Sequence, residues 1–182
     1  VAYTAFRGMV NSGPRHSAIG RVSKVYPAVQ HSSEDVSLMK FDDLEVGMVV
    51  THPPVVLTRE EMLAFARSYD PQPFHVDEAA AEQSRWGGLI GSGWLTCGLA
   101  MRMVYDAALK GSEAFGSPGL ERLRWPNPVR PGDALRLEAT VDSKRVSSSR
   151  SDLGIVRWTW RLFNQNDDLV LETEVTNMFD LG

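Results

Sequence analysis

A carboxylate and an imidazole stand five residues apart in the segment Tyr69-Asp70-Pro71-Gln72-Pro73-Phe74-His75-Val76-Asp77. Prolines at 71 and 73 fix their own φ and push the residue before each toward extended backbone. Asp70 and His75 are therefore held with little freedom, and both side chains can point into one cleft. That suits general acid and base work on a water molecule. The same residues also have a use without chemistry: a turn in which Asp70 caps backbone amides and His75 satisfies a buried carbonyl. A second feature is Gly91-Ser92-Gly93, just ahead of an apolar run. If a helix starts there, its free N–H groups lie at the positive end of the dipole and can hold a developing oxyanion. Glycine lets a ligand approach the backbone closely. The plainer reading is a tight turn into a buried helix with Ser92 as its N-cap.

The elements around these residues follow from local pattern. Met48 to Leu57 is rich in valine but interrupted by Pro53 and Pro54, which predicts an edge or bent strand. Thr58 with Glu61 three residues on forms a capping box, and Met62, Phe65 and Ala66 continue at helical spacing to about Tyr69. The prolines then predict a stiff loop from Asp70 to His75, and Asp77 caps a second short helix through Glu82. From Ser92 to about Lys110 apolar residues fall on nearly every face, so that long helix is expected inside the fold. Gly111 to Gly119 reads as a loop, and strand texture begins at Leu120. Leu135, Leu137, Ala139 and Val141 alternate with polar residues. Ile155 to Phe163 and Leu169 to Phe179 are joined by the turn-rich Asn164 to Asp168, which predicts a hairpin. The order is that of an α+β fold with an antiparallel sheet against one long helix.

Composition bounds the function. With 19 Lys and Arg against 23 Asp and Glu, the 182-residue chain carries a net charge of −4, so binding driven by phosphate neutralisation is not expected and no nucleic-acid partner is assigned. No run reaches the roughly 18 apolar residues that span a bilayer, so no membrane association is expected. Val1 to Val10 lacks the pattern of a secretory signal, and the one cysteine, Cys97, cannot form an internal disulfide. Together these point to a reducing, cytoplasmic setting. A start at Val rather than Met suggests a trimmed or alternatively started product. Residues 1–40 show no periodicity and read as a poorly packed extension, with 41–182 as a single domain.

Asp70, Pro73, His75 and Asp77 match in order and spacing the motif of the MaoC-like acyl dehydratases, which include the (R)-specific enoyl-CoA hydratases of the hydratase 2 type. The resemblance continues through Gly93 and through Pro126, Val129, Pro131, Gly132 and Asp133, and spans about Phe41 to Phe179. It implies a hot-dog fold, an antiparallel sheet wrapped around a central helix, assembled as a homodimer. It also implies addition of water to a 2-enoyl thioester, or its removal from a 3-hydroxyacyl thioester. Asp70 and His75 would then position and activate the water, and the Gly93 N–H would bind the thioester oxygen. Pro73, Ser92, Trp94 and Arg124 would contact the substrate. Coenzyme A is part of that substrate, and no separate cofactor is implied. The chain departs from the family where Gln72 replaces a frequent Asn and Ser92 a frequent His. A family serine on the helix falls near Met101.

Arg122, Arg124 and Arg130 surround the strand after the helix and could meet coenzyme A phosphates, although solvated or structural arginines are the competing reading. Cys97 reads as a small core residue. Trp158 and Trp160 share one face of a strand, which suits core or subunit packing. His16, His31 and His52 lack metal-ligand spacing, so no metal is expected. Two rival functions use the same scaffold: a hot-dog acyl-CoA thioesterase, and a non-catalytic acyl-thioester-binding subunit. The Asp70 and His75 pair favours hydration over both.

Overall fold

A computed structural model describes residues 39–182. The extension expected over 1–40 falls, apart from its last two residues, outside the described residues, as do His16 and His31. Strand β1 (Val49–Val56) leads into helix α1 (Arg59–Tyr69), short helices α2 (Pro73–Val76) and α3 (Glu78–Gln83), and the central helix α4 (Gly93–Val104). A π-helical turn, Tyr105–Leu109, extends α4, and strands β2 (Ala114–Arg124), β3 (Ala134–Val146), β4 (Leu153–Phe163) and β5 (Leu169–Asp180) follow. The five strands form one sheet in the order β1-β3-β4-β5-β2, with every neighbouring pair antiparallel. This is the hot-dog arrangement.

The period-2 pattern decides which face of the sheet meets the helix. Leu135, Leu137, Ala139 and Val141 of β3, with Val156, Trp158, Trp160 and Leu162 of β4, are all buried in a single core with Ala100, Met103 and Val104 of α4. Both tryptophans are thus core residues. At β1 the register shifts between His52 and Val55, so the two prolines sit on an edge strand where a missing N–H breaks little. The capping box of α1 is complete: Thr58 Oγ accepts from Glu61 N at 3.2 Å, and Thr58 N donates to the Glu61 carboxylate at 2.9 Å. Asp77 caps α3, its side chain accepting from Ala80 N.

Three expectations need correction. His75 stands on the helical turn α2 rather than in a stiff loop, because Pro73 occupies the N1 position, where its fixed φ favours a helix and its missing N–H goes unused. The segment read as a loop to Gly119 already belongs to β2 from Ala114. It follows β5 with three register shifts and carries Pro118, which the free edge tolerates. Finally, α4 is not enclosed on every side. Thr96, Ala100, Met103 and Val104 are buried, whereas Trp94, Met101 and Tyr105 are exposed at 59%, 41% and 44%.

Candidate functional site

Asp70 is the C-cap residue of α1, and its own N–H bonds to Ala66 O, so the helix end places the carboxylate. One turn of α2 later, His75 faces it, with Nε2 3.3 Å from Asp70 Oδ2. Their side chains are only 6% and 17% exposed, for His75 and Asp70 respectively. His75 Nδ1 lies 2.8 Å from the carbonyl of Ile90. A carbonyl only accepts, so Nδ1 carries a hydrogen, and Nε2 is the ring nitrogen turned toward Asp70. The structural use anticipated for this histidine is therefore real, and it occupies one ring nitrogen while leaving the other in the cleft.

Both carboxylate oxygens of Asp70 accept hydrogen bonds. Gln72 Nε2 donates to Oδ1 at 2.8 Å, and Ser92 Oγ donates to Oδ2 at 2.7 Å. Burial pushes the Asp70 carboxyl up, but the bonds from Gln72 and Ser92, together with the His75 charge, outweigh it and leave it below the ordinary carboxylate range. Asp70 is thus an ionised acceptor at neutral pH. Ser92 has a second task as N-cap of α4, its oxygen accepting from Trp94 N at 3.3 Å. Ile90, Ser92 and Gly93 lie on one short stretch: Ile90 holds His75, Ser92 holds Asp70, and the N–H of Gly93 has no acceptor among the described residues.

These groups border a cavity of about 300 Å³, lined among others by Asp70, Gln72, His75, Gly93, Trp94 and Trp125. Of the site residues read from the sequence, Asp70, His75, Gly93 and Trp94 are brought together here. Pro73 and Ser92 are not part of the wall: Pro73 starts α2, and Ser92 is fully buried behind Asp70. Arg124, at the exposed end of β2, is also outside the wall. The other two arginines have structural work. Arg122 pairs with Glu172 and Glu174, and Arg130 donates to the Trp86 carbonyl at 2.6 Å. Burial raises the Cys97 thiol above its usual range, with a hydrogen bond from Trp125 acting the other way, so it stays a thiol.

Several wall residues carried no chemical signal in the sequence. The Ile90 carbonyl is main chain and has no side-chain signature. Trp125 sits in the Arg124 to Asp133 segment and donates its indole N–H to Gly93 O at 3.0 Å. Gln72 was notable only as a departure, yet it is a direct partner of Asp70.

Comparisons with known proteins bear on the family and the fold. The sequence profile of the MaoC like domain matches residues 43–157. A MaoC-like dehydratase from Rhodospirillum rubrum is 37% identical, with a TM-score of 0.72 over 76% of this chain and 94% of that one. The R-hydratase PhaJ1 from Pseudomonas aeruginosa is 26% identical, with a TM-score of 0.63 over 78% of this chain and 86% of that one. The Bacillus subtilis protein YdeM is 28% identical over 138 residues, covering 76% of this chain and 96% of its own length. With its fold, its motif and a match across most of its length in accord, the chain belongs to the MaoC-like dehydratase family.

Proposed function

We propose that the protein is an (R)-specific 2-enoyl-CoA hydratase that also runs in reverse as a 3-hydroxyacyl-CoA dehydratase. The observation that carries this reading is the Asp70 and His75 pair, 3.3 Å apart at a cavity wall, with every other polar atom of the two side chains tied to the scaffold. An ionised carboxylate oxygen and an imidazole lone pair are two acceptors. A water that donates one hydrogen to each is held with its oxygen lone pair free to attack C3 of the enoyl group. The proton lost by that water passes to the pair and is returned to C2. Hydroxide has then added to C3 and a proton to C2, and the pair is restored. The Gly93 N–H, at the head of α4, receives the thioester oxygen as negative charge builds on it.

Coenzyme A enters as part of the substrate. Of the three arginines after α4, Arg122 is ion-paired and Arg130 is hydrogen-bonded to the Trp86 carbonyl, whereas Arg124 has neither kind of side-chain partner among the described residues, which makes it the candidate for phosphate contact. A second copy of the chain would cover the exposed face of α4. Met101 of that helix, Tyr105 at the start of the π-helical turn that extends it, and Phe115 and Leu120 of edge strand β2 are exposed. A hollow of about 270 Å³ lined by Cys97, Met101, Leu120, Trp160, Leu171 and Val175 adds to the apolar surface left there.

The test is incubation with crotonyl-CoA while enoyl absorbance and free thiol are followed together. Loss of absorbance without thiol supports the hydratase. Release of thiol points instead to a thioesterase, and the absence of both changes across short, long and branched enoyl-CoAs points to a binding subunit.

A further inference from the structure

We infer that Trp125 is a positioning residue for the turn of α4 that carries Gly93, an inference that rests on the hydratase reading where it treats the Gly93 N–H as the thioester's partner. Trp125 follows the last residue of β2 and lies against the first turn of the helix. A Cβ built on Gly93 would fall 2.6 Å from Cε2 of the indole and 2.9 Å from its Cδ2 and Nε1, so only glycine fits beneath this ring. The same ring donates through Nε1 to Gly93 O at 3.0 Å and stands T-shaped to Trp94, with centroids 5.7 Å apart.

The close approach that a glycine permits at position 93 is thus taken up on its Cα side by the protein's own indole. This matters for the amide. A glycine at the first position of a helix has the greatest backbone freedom of any residue, and its N–H is aimed only indirectly, through the Ser92 carbonyl of the same peptide, which accepts from Thr96 N at 3.2 Å. Trp125 removes that freedom from outside the helix. It packs on the Cα and holds the Gly93 carbonyl, while Thr96 holds the Ser92 carbonyl of the preceding peptide; with both peptides of Gly93 pinned, its N–H is left with one orientation. A donor fixed before the substrate arrives does not need to reorganise as charge builds on the oxygen. Trp125 acts through Gly93, and nothing requires it to touch the reacting atoms.

The experiment compares Trp125→Leu, Trp125→Phe, Gly93→Ala and the double variant Gly93→Ala/Trp125→Leu with the unsubstituted full-length chain, in enoyl-CoA hydration and in thermal unfolding. Trp125→Leu should lower kcat about ten- to hundredfold and leave KM within about threefold, since a misplaced donor is felt in the transition state. Trp125→Phe keeps a ring but no N–H and should fall between. Gly93→Ala should lower the unfolding midpoint, and adding Trp125→Leu should raise it again, because the clash has been removed. A folded Trp125→Leu variant with unchanged kcat overturns the inference, as does simple additivity of the two midpoint shifts. Asp70→Asn separates the two readings: if it keeps full turnover, the hydratase reading fails, whereas an inactive Asp70→Asn beside a fully active Trp125→Leu sinks the positioning role alone. Should the unsubstituted chain hydrate no enoyl-CoA, the thermal cycle decides the coupling by itself.

Discussion

The hydroxyl of Ser92 donates to Asp70 Oδ2 at 2.7 Å and accepts from Trp94 N at 3.3 Å, so one side chain both starts the central helix and steadies the carboxylate. Ser92→Ala should therefore show two separable effects. Loss of the cap should reduce stability by about 0.5–2 kcal/mol, read by denaturant unfolding. Loss of a donor to the ionised carboxylate should raise the Asp70 pKa, which moves the acidic limb of the kcat/KM profile to higher pH. A shifted midpoint with an unchanged profile would show that the bond to Asp70 does not tune it.

The two nitrogens of His75 should separate under mutation. His75→Ala removes both Nε2 and the donor to the Ile90 carbonyl, and should lose about 1–3 kcal/mol of stability as well as activity. In His75→Asn the amide can replace Nδ1–H but offers nothing at the Nε2 position. It should be the more stable of the two variants and equally inactive, with hydration down at least about a hundredfold. Circular dichroism melts alongside the crotonyl-CoA assay check this. Retention of near wild-type turnover by His75→Asn would remove Nε2 from the mechanism.

Stability should depend on acid through Asp70. Its pKa is held below the ordinary value in the folded protein, so the stabilisation is present above the unfolded carboxylate pKa of about 3.9 and is lost as pH falls through the lower folded value. Asp70→Asn has no such proton to take up. The stability difference between the unsubstituted protein and Asp70→Asn, measured by urea unfolding, should therefore shrink steadily as pH drops below about 4. A difference independent of pH would contradict the depressed pKa.

Arg124 and Arg130 should respond differently to the length of the thiol carrier. If Arg124 meets the phosphates, Arg124→Ala should raise KM severalfold for a coenzyme A thioester and leave a pantetheine thioester of the same acyl group unchanged. Arg130 donates to the Trp86 carbonyl and lies 3.2 Å from where a Cβ on Gly88 would sit, so its loss loosens the loop beneath the cavity. Arg130→Ala should affect both substrates alike. Steady-state kinetics on the two thioesters decide it.

The core has a comparable tight point. A Cβ on Gly154 would fall 2.7 Å from Phe41 Cε2, and the Phe41 ring is itself set against Phe179 at 5.5 Å between centroids. Gly154→Ala should be destabilising by about 1–3 kcal/mol, with less added penalty in a Phe41→Leu background.

How far the sequence carried can be judged from these same places. The period-2 pattern of β3, the capping box at Thr58 and Glu61, and the spacing of Asp70 and His75 are local signals, and each corresponds to what the structure contains. What stayed hidden depends on partners distant in the chain or on main-chain atoms. The Ile90 carbonyl that orients His75 has no sequence signature. Trp125 is 32 residues from the glycine it covers, and its meaning lies in that contact. The start of β2 was missed because Gly116, Pro118 and Gly119 read as loop, while at a sheet edge they are admissible in a bulged strand. The exposed flank of α4 escaped because hydrophobicity reports what a residue prefers, and one chain does not satisfy every preference.

The stretch from Ile90 to Gly93 has a mechanical consequence. The His75 ring, the Asp70 carboxylate and the Gly93 amide are all referenced to four consecutive residues: His75 through Ile90 O, Asp70 through Ser92 Oγ, and the amide through Gly93 itself. When the protein breathes, a displacement of this stretch carries the three together, as parts mounted on one bracket. Their mutual spacing then varies less than their distance to whatever occupies the cavity. Thermal motion in such a site would vary how deeply the substrate seats more than it varies the alignment of the groups that act on it.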